Sequence, residues 1–395
     1  MRRVLALTLL LLTLAGCGGA GPTTRLDPPA TELDPRLTSA GVQFGIDLLK
    51  RVYTGTNTFL SPASASLILS LTANGAKGET QAGMLKALRA DALGLDQLNQ
   101  ANAALQTVLA NPDPKVELAM ANAVWYAEGL KLAPAFETAA SEHYQAELKK
   151  GLSVPAINGW VKERTRDRIP ELLDQASPLT VMVLVNALYF KGEWADPFEE
   201  SSTVPMPFTK VDGSTKQVPF MQQRSSYGYI ETDGVRGIRL PYGGGRLALY
   251  AIMPDRWDGF LDSLSADRWN GWISEVNQQQ VALALPKVKL ETAMELKEPL
   301  IAMGMGDAFD PAKADFTGLF TRIDDPVYIG RVVQKTFLEI GERGTEAAAA
   351  TAVVVETAAA PVQGPVVLEL NRPFLVAIRD DTTGALLFLG LIMEP

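Results

Sequence analysis

The chain of 395 residues holds one Cys and one His. That count excludes an internal disulfide, a cysteine-rich zinc site and any site needing two histidines. Ser-His-Asp or Cys-His catalysis would have to pass through His143, which sits late in a predicted helix and reads as structural. Basic residues are outnumbered, with Lys+Arg 36 against Asp+Glu 45 and a formal charge of −9. A surface built for a nucleic-acid backbone does not fit that balance. Gly-x-Ser-x-Gly, Ser-x-x-Lys and a Walker loop are all missing. Gly243-Gly244-Gly245 lies between strand-like segments and reads as a turn. The adjacent acids Glu199-Glu200, Asp324-Asp325 and Asp380-Asp381 read as solvated turns, since neighbours on a strand face opposite ways. No catalytic constellation emerges, and no metal or cofactor is implied. Hydrophobic residues at 47% and charged residues at 21% are ordinary globular usage and exclude disorder of the whole chain. The length fits two or three domains or one large mixed domain.

The N-terminus carries Arg2 and Arg3 before an uncharged stretch from Val4 to Gly16. That stretch falls short of the roughly 20 residues a spanning helix needs, which is the pattern of a signal peptide. It ends in Leu14-Ala15-Gly16-Cys17, which resembles the bacterial lipobox. The resemblance implies that residues 1–16 are removed and that Cys17 carries the lipid, giving an exported protein held to the bacterial membrane. Residues 17–36, rich in Gly, Pro and Thr, read as a tether.

The body begins with helical patterns over 36–52, 63–73, 79–90, 93–110, 134–144 and 155–167, with a strand-like run at 116–126. Ser61-Pro62 opens the second helix as N-cap and first helical residue. From Val181 onward strands dominate: 181–190, 217–230, 246–253, 281–290, 327–340, 366–370, 374–379 and 385–392. Helices first and strands later argue for an α+β fold.

Residues Gly341 to Pro365 read GERGTEAAAATAVVVETAAAPVQGP. A surface helix accounts for Glu-Ala-Ala-Ala-Ala, but the run continues into Val353-Val354-Val355, which prefers extended backbone. A linker is out of place between a strand and the last strands of one body. Read with period 2, one face takes Thr345, Ala347, Ala349, Thr351, Val353, Val355 and Thr357, all uncharged. The other takes both charges, Glu346 and Glu356. The segment is written to become a central strand, although it reads locally as a loop. Such a conflict marks function.

Here the chain resembles a serpin. The hinge motif Glu342-x-Gly344-Thr345-Glu346-Ala347-Ala348-Ala349-Ala350-Thr351 matches inhibitory members closely. The resemblance runs over most of 37–393. It includes Asn57-Thr58-Phe59-Leu60-Ser61-Pro62-x-Ser64, Asn74-Gly75-Ala76 and Ala121-Asn122-Ala123-Val124-Trp125. Further along come Ile157-Asn158-x-Trp160-Val161, Asn186-Ala187-Leu188-Tyr189-Phe190-Lys191-Gly192-x-Trp194, Leu285-Pro286-Lys287 and Asn371-Arg372-Pro373-Phe374.

The resemblance implies a single domain over 37–395, with about nine helices around three sheets and an exposed reactive loop near 342–364. It implies a monomeric suicide substrate, not an enzyme. A serine protease attacks one loop bond and forms an acyl-enzyme, and the freed loop then inserts into the large sheet. Residues from Thr345 onward are expected outside the sheet until then. Counting seventeen residues from Glu342 places the bond at Ala358-Ala359. A small residue there suits elastase-like or subtilisin-like proteases. The positions matching the polar cluster that controls sheet opening are Ser61, Ser64, Asn186 and Gln334, with Trp194 under the top of the sheet. The family usually has a His where this chain has Gln334, so a pH switch of the sheet is not expected. Leu95 to Ala110 contains no Lys or Arg, so heparin activation through that helix is not expected. A non-inhibitory serpin acting as carrier or chaperone is the alternative within the fold. A solute-binding lipoprotein is the alternative outside it.

Overall fold

The computed structural model describes residues 33–110, 112–176, 179–322, 325–345 and 364–395. Cys17, the leader and most of the tether lie outside them, as do Glu346 to Thr351 of the hinge and the Ala358-Ala359 bond. The folded body starts earlier than expected. Asp34 caps α1 (Pro35–Val52) by accepting from the Arg36 N–H, and Leu33 already packs against the core. Leu33 to Arg36, read above as tether, therefore belong to the folded body.

After β1 (Thr58–Leu60), α2 (Pro62–Ala73) opens as read, with the Ser61 side chain accepting from the Ser64 N–H. It is apolar nearly all round and is buried accordingly. Helices α3 (Gly78–Ala87) and α4 (Leu95–Leu109) follow, then β2 (Val116–Tyr126), α5 (Pro134–Glu142), β3 (Ala146–Lys150) and α6 (Val154–Arg164). The strand-rich part holds β4 (Met182–Glu193), β5 (Thr203–Thr209), β6 (Thr215–Thr232), β7 (Val235–Pro241) and β8 (Leu247–Pro254). Two helices, α7 (Phe260–Ser263) and α8 (Ala266–Ser274), precede β9 (Asn277–Pro286) and β10 (Val288–Glu295). Next, α9 (Lys297–Leu300), a π-turn at Ile301–Met305 and α10 (Gly306–Phe309) form one stretch, kinked at Gly304 with φ +113°. Counting that stretch once, the described residues contain nine α-helical segments. The chain ends with β11 (Val333–Gly341), β12 (Gly344–Thr345), β13 (Val366–Glu369), β14 (Phe374–Asp380) and β15 (Leu386–Ile392).

One sheet has the order β10-β11-β12-β4-β2-β3. The other strands run β1-β15-β14-β8-β7-β6-β9-β13, with β5 on β6. Strand β6 is long enough to serve two groups. Residues 215–221 pair with β5 and 228–232 with β7, while β9 spans the middle. Where three sheets were expected, the described strands form two hydrogen-bonded sheets, because the length of β6 joins two strand groups into one. The expected strand over 281–290 is two strands, because the chain changes sheets at Pro286-Lys287. The expected strand over 327–340 begins only at Val333; the residues before it are held by the kinked helical stretch, with Ile329 N–H donating to the Ala308 carbonyl. Asp380-Asp381 is no solvated turn either. Asp380 is fully buried and paired with Arg246 at 2.9 Å, and Asp381 meets Arg239 at 2.7 Å. Helix α6 lies on β2 and β4 over a separate small core of Trp125, Ile157, Trp160, Val161 and Val185.

Candidate functional site

Strand β12 is two residues long and sits between β4 and β11. Thr345 pairs with Ile340 on one side and Gly192 on the other, and Gly344 pairs with Gly341 and Glu193. Thr345 is only 3% exposed. The expectation that the hinge stays outside the sheet from Thr345 onward is corrected here: its first residue is already in place. Among the described residues, β4 and β11 have no ladder with each other below this point. Between them lies a cavity of about 900 Å³, floored by α2. Leu184, Asn186 and Leu188 line it from β4, and Val332, Gln334 and Thr336 from the other side. The sheet therefore contains a slot between β4 and β11, one strand wide at its top where β12 fills it.

The top is held by packing and by charge. Tyr242, fully buried, shares a 2.6 Å hydrogen bond with the Thr345 hydroxyl. Its ring stacks on Trp194 at 4.6 Å and meets Phe190 edge-on at 5.0 Å. Trp194 Nε1–H donates to the Gly341 carbonyl, and the Trp194 and Phe198 N–H groups donate to Arg343 and Glu342 carbonyls. Two glycines make the fit possible. A Cβ on Gly192 would lie 2.7 Å from the Tyr242 ring, and one on Gly344, at φ +147°, 2.0 Å from the Gly192 carbonyl. Burial keeps the Tyr242 hydroxyl protonated far above the usual phenol range.

Glu342 anchors the turn between β11 and β12. Its carboxylate accepts from Lys287 Nζ at 2.8 Å and from the Thr203 hydroxyl at 2.9 Å. Burial alone would raise its pKa, but Lys287, its own backbone N–H and Thr203 outweigh that and hold it below the ordinary glutamate value. A carboxyl held low in the folded state stabilises that state above its unfolded pKa and loses the contribution as pH falls through the folded one. Lys287 is partly exposed, so screening leaves about 1 kcal/mol. Glu342→Gln is expected to lower intact-protein stability by about that amount at pH 7. The gap should close as the pH drops through the carboxylate range. Denaturant melts of both proteins at neutral and acid pH check this; a gap independent of pH would assign the effect to shape.

Midway down the slot lies the polar cluster. Gln334 is 7% exposed; it accepts from the Ser61 N–H at 2.9 Å and donates Nε2–H to the Ser61 carbonyl at 3.0 Å. Ser61 Oγ donates to the Leu387 carbonyl and accepts from the Ser64 N–H. The Ser64 hydroxyl donates to Asn186 Oδ1. Asn186 Nδ2 donates to Asn122 Oδ1 at 2.7 Å, and Asn122 donates to Gln106 Oε1 and the Tyr144 carbonyl. The structure thus brings Ser61, Ser64, Asn186 and Gln334 together. Trp194 lies apart from these four, at the top of the slot beside Gly341 and Tyr242, where it was expected. Sequence reasoning did not single out Tyr242, Lys287, Thr203 or Asn122 as site residues. Asn122 alone left a signal, a polar residue on the strand face that also carries Leu118, Met120 and Val124.

A family model for Serpin (serine protease inhibitor) matches residues 39–395. The chain belongs to the serpin family. Serpin B8 of Bos taurus is 34% identical over 378 residues, covering 91% of this chain and 99% of that protein. Leukocyte elastase inhibitor of Xenopus tropicalis is 32% identical, covering 91% and 99%. The crystal structure of a thermophilic serpin, tengpin, in the native state superposes with a TM-score of 0.85 at 33% identity, covering 92% of this chain and 95% of that one.

Proposed function

We propose that this protein is a lipid-anchored inhibitor of serine proteases on the bacterial cell envelope, acting as a suicide substrate and not as an enzyme. The supporting observation is β12: the hinge is already hydrogen-bonded between β4 and β11 at the mouth of a slot that continues below it. In this reading the protease serine attacks the Ala358 carbonyl. The peptide bond to Ala359 breaks, and Ala358 is left as an ester on the enzyme while the new Ala359 amine takes up a proton. The chain from Glu346 onward then extends β12 down the slot, carrying the protease with it before water completes hydrolysis. Leader 1–16, lipidated Cys17 and the short tether ahead of Leu33 complete the arrangement, with several acyl chains giving stable anchoring.

Ala358 selects proteases with shallow specificity pockets, in keeping with the elastase inhibitor among the relatives. Incubation with a panel of serine proteases tests this. Elastase-like or subtilisin-like enzymes should form a complex that survives boiling in detergent, and trypsin-like enzymes should not. Mass spectrometry should find a C-terminal peptide beginning at Ala359 and ending at Pro395. A peptide starting outside 358–360 would contradict the assigned bond. Cleavage with no trapped protease would favour the carrier or chaperone alternative.

A further inference from the structure

We infer that Asp113 is a positioning residue for loop insertion: its carboxylate clasps the turn between β7 and β8 to the start of β2, so that β4 and Tyr242 hold the seat of Thr345. The inference rests on the insertion reading above. The triple glycine Gly243-Gly244-Gly245 leads to it. The turn itself needs glycine at two positions, since Gly243 has φ +50° and Gly245 φ +92°. Gly244 is not among the residues with positive φ, so the turn alone does not require it. Asp113 supplies the reason. The Gly244 N–H donates to Asp113 Oδ2 at 2.7 Å, and a Cβ on Gly244 would lie 2.8 Å from that same oxygen. The atoms such a Cβ would meet within 4 Å all belong to Asp113. A Cβ on Gly243 would lie 2.1 Å from Asp113 Oδ1. The turn is bare where a carboxylate rests on it.

That carboxylate closes a ring of hydrogen bonds. Its Oδ1 accepts from the Lys115 N–H at 2.8 Å. The Lys115 carbonyl accepts from the Glu193 N–H at 3.2 Å, and the Glu193 carbonyl from the Gly243 N–H at 2.9 Å. Asp113 contributes a side chain to this ring; Lys115, Glu193, Gly243 and Gly244 contribute backbone. The ring joins the start of β2, the end of β4 and the turn after β7, all remote from one another in the chain. Each bears on the mouth of the slot. Val116 pairs with Gly192 across one edge of β4, and Gly192 and Glu193 pair with Thr345 and Gly344 across the other. Tyr242, at the start of the turn, shares a hydrogen bond with the Thr345 hydroxyl and stacks on Trp194. Asp113 thus acts on Thr345 through β4 and Tyr242. Hydrogen bonds to an ionised acceptor are stronger than neutral ones, so this clasp outweighs any backbone bond in the ring. Without it, β12 must begin to extend from a hinge that is no longer held at the mouth.

Wild type, Asp113→Ala, Gly244→Ala and the double variant are incubated as full chains with the serine protease that cuts the wild-type loop fastest. Cut inhibitor and detergent-stable complex are then quantified. The loop should be cut at the wild-type rate in every case. In Asp113→Ala the ratio of hydrolysed to trapped inhibitor should rise about tenfold, the worth of one hydrogen bond to a charged acceptor. Gly244→Ala should raise it comparably, because its methyl group displaces the carboxylate. In the double variant that methyl group meets no carboxylate. The ratio should then match that of Asp113→Ala and fall well short of the product of the two single effects. General loosening of the body would not produce that non-additivity. Asp113→Asn keeps the size but accepts through one oxygen. It should fall between wild type and Asp113→Ala, and it carries the test if the alanine variant does not fold. Trapping by the Asp113 variants at the wild-type ratio or better, or single effects that multiply, overturns the clasp while leaving insertion intact. Wild type that is cut but traps no protease overturns insertion itself, and this inference with it.

Discussion

Thr345→Arg should turn this inhibitor into a substrate. Thr345 is the first residue in the slot, buried against Tyr242 and flanked by strands on both sides. A guanidinium there would be buried without a counter-charge, at a cost of several kcal/mol, so the variant should hold position 345 out of the sheet in the intact form and meet that cost during insertion. Each 1.36 kcal/mol on a barrier is tenfold in rate, so insertion should slow by roughly 100-fold or more. Hydrolysis of the acyl-enzyme then wins. Cleavage between Ala358 and Ala359 should continue while the detergent-stable complex disappears. Thr345→Val, which keeps the size and loses only the bond to Tyr242, should still trap protease. Gel analysis of both variants with an elastase-like enzyme decides the matter. Trapping by Thr345→Arg at the wild-type ratio of inhibitor to enzyme would show that Thr345 does not lead insertion.

Strand β2 was legible to the residue at 116–126, because larger side chains at Val116, Leu118, Met120 and Val124 recur with period 2. Helix α2 was legible from its Ser-Pro start. The elements that escaped have local reasons. Strand β5 contains Pro205 and Pro207, which argue against a strand and are tolerated because β5 pairs only with β6. Strand β3 is five residues of largely charged sequence, and β1 is three residues. Strand β12 exists only because β4 and β11 hold it from both sides. No propensity of Gly344-Thr345 could announce it. For the same reason the sequence placed Thr345 outside the sheet. Its seat depends on Tyr242, Trp194 and the bare backbone of Gly192, which are remote in the chain. The polar cluster was legible only through family resemblance, since isolated Ser, Asn and Gln residues carry no spacing signal of their own.

Cutting the loop should make the protein more stable. An inserted residue forms backbone hydrogen bonds to the strands on either side, each worth about 1 kcal/mol net. Ordering that residue opposes this by about 1–2 kcal/mol. The balance is tipped by the slot itself. Its edges on β4 and β11 have no ladder partner below Thr345 among the described residues, and unpaired backbone polar groups away from water are costly. Val353 and Val355 add roughly 1.5–3 kcal/mol each on burial. The intact form is in this view held kinetically. A net gain of about 5 kcal/mol would raise the midpoint by roughly 6–7 °C in a body of this size. The direct measurement is a thermal melt of intact and loop-cleaved protein under identical conditions, with the 359–395 fragment still bound. The cleaved form should melt at the higher temperature by that margin. A cleaved form melting at the same temperature or lower would contradict insertion of segment 346–357 into the slot between β4 and β11.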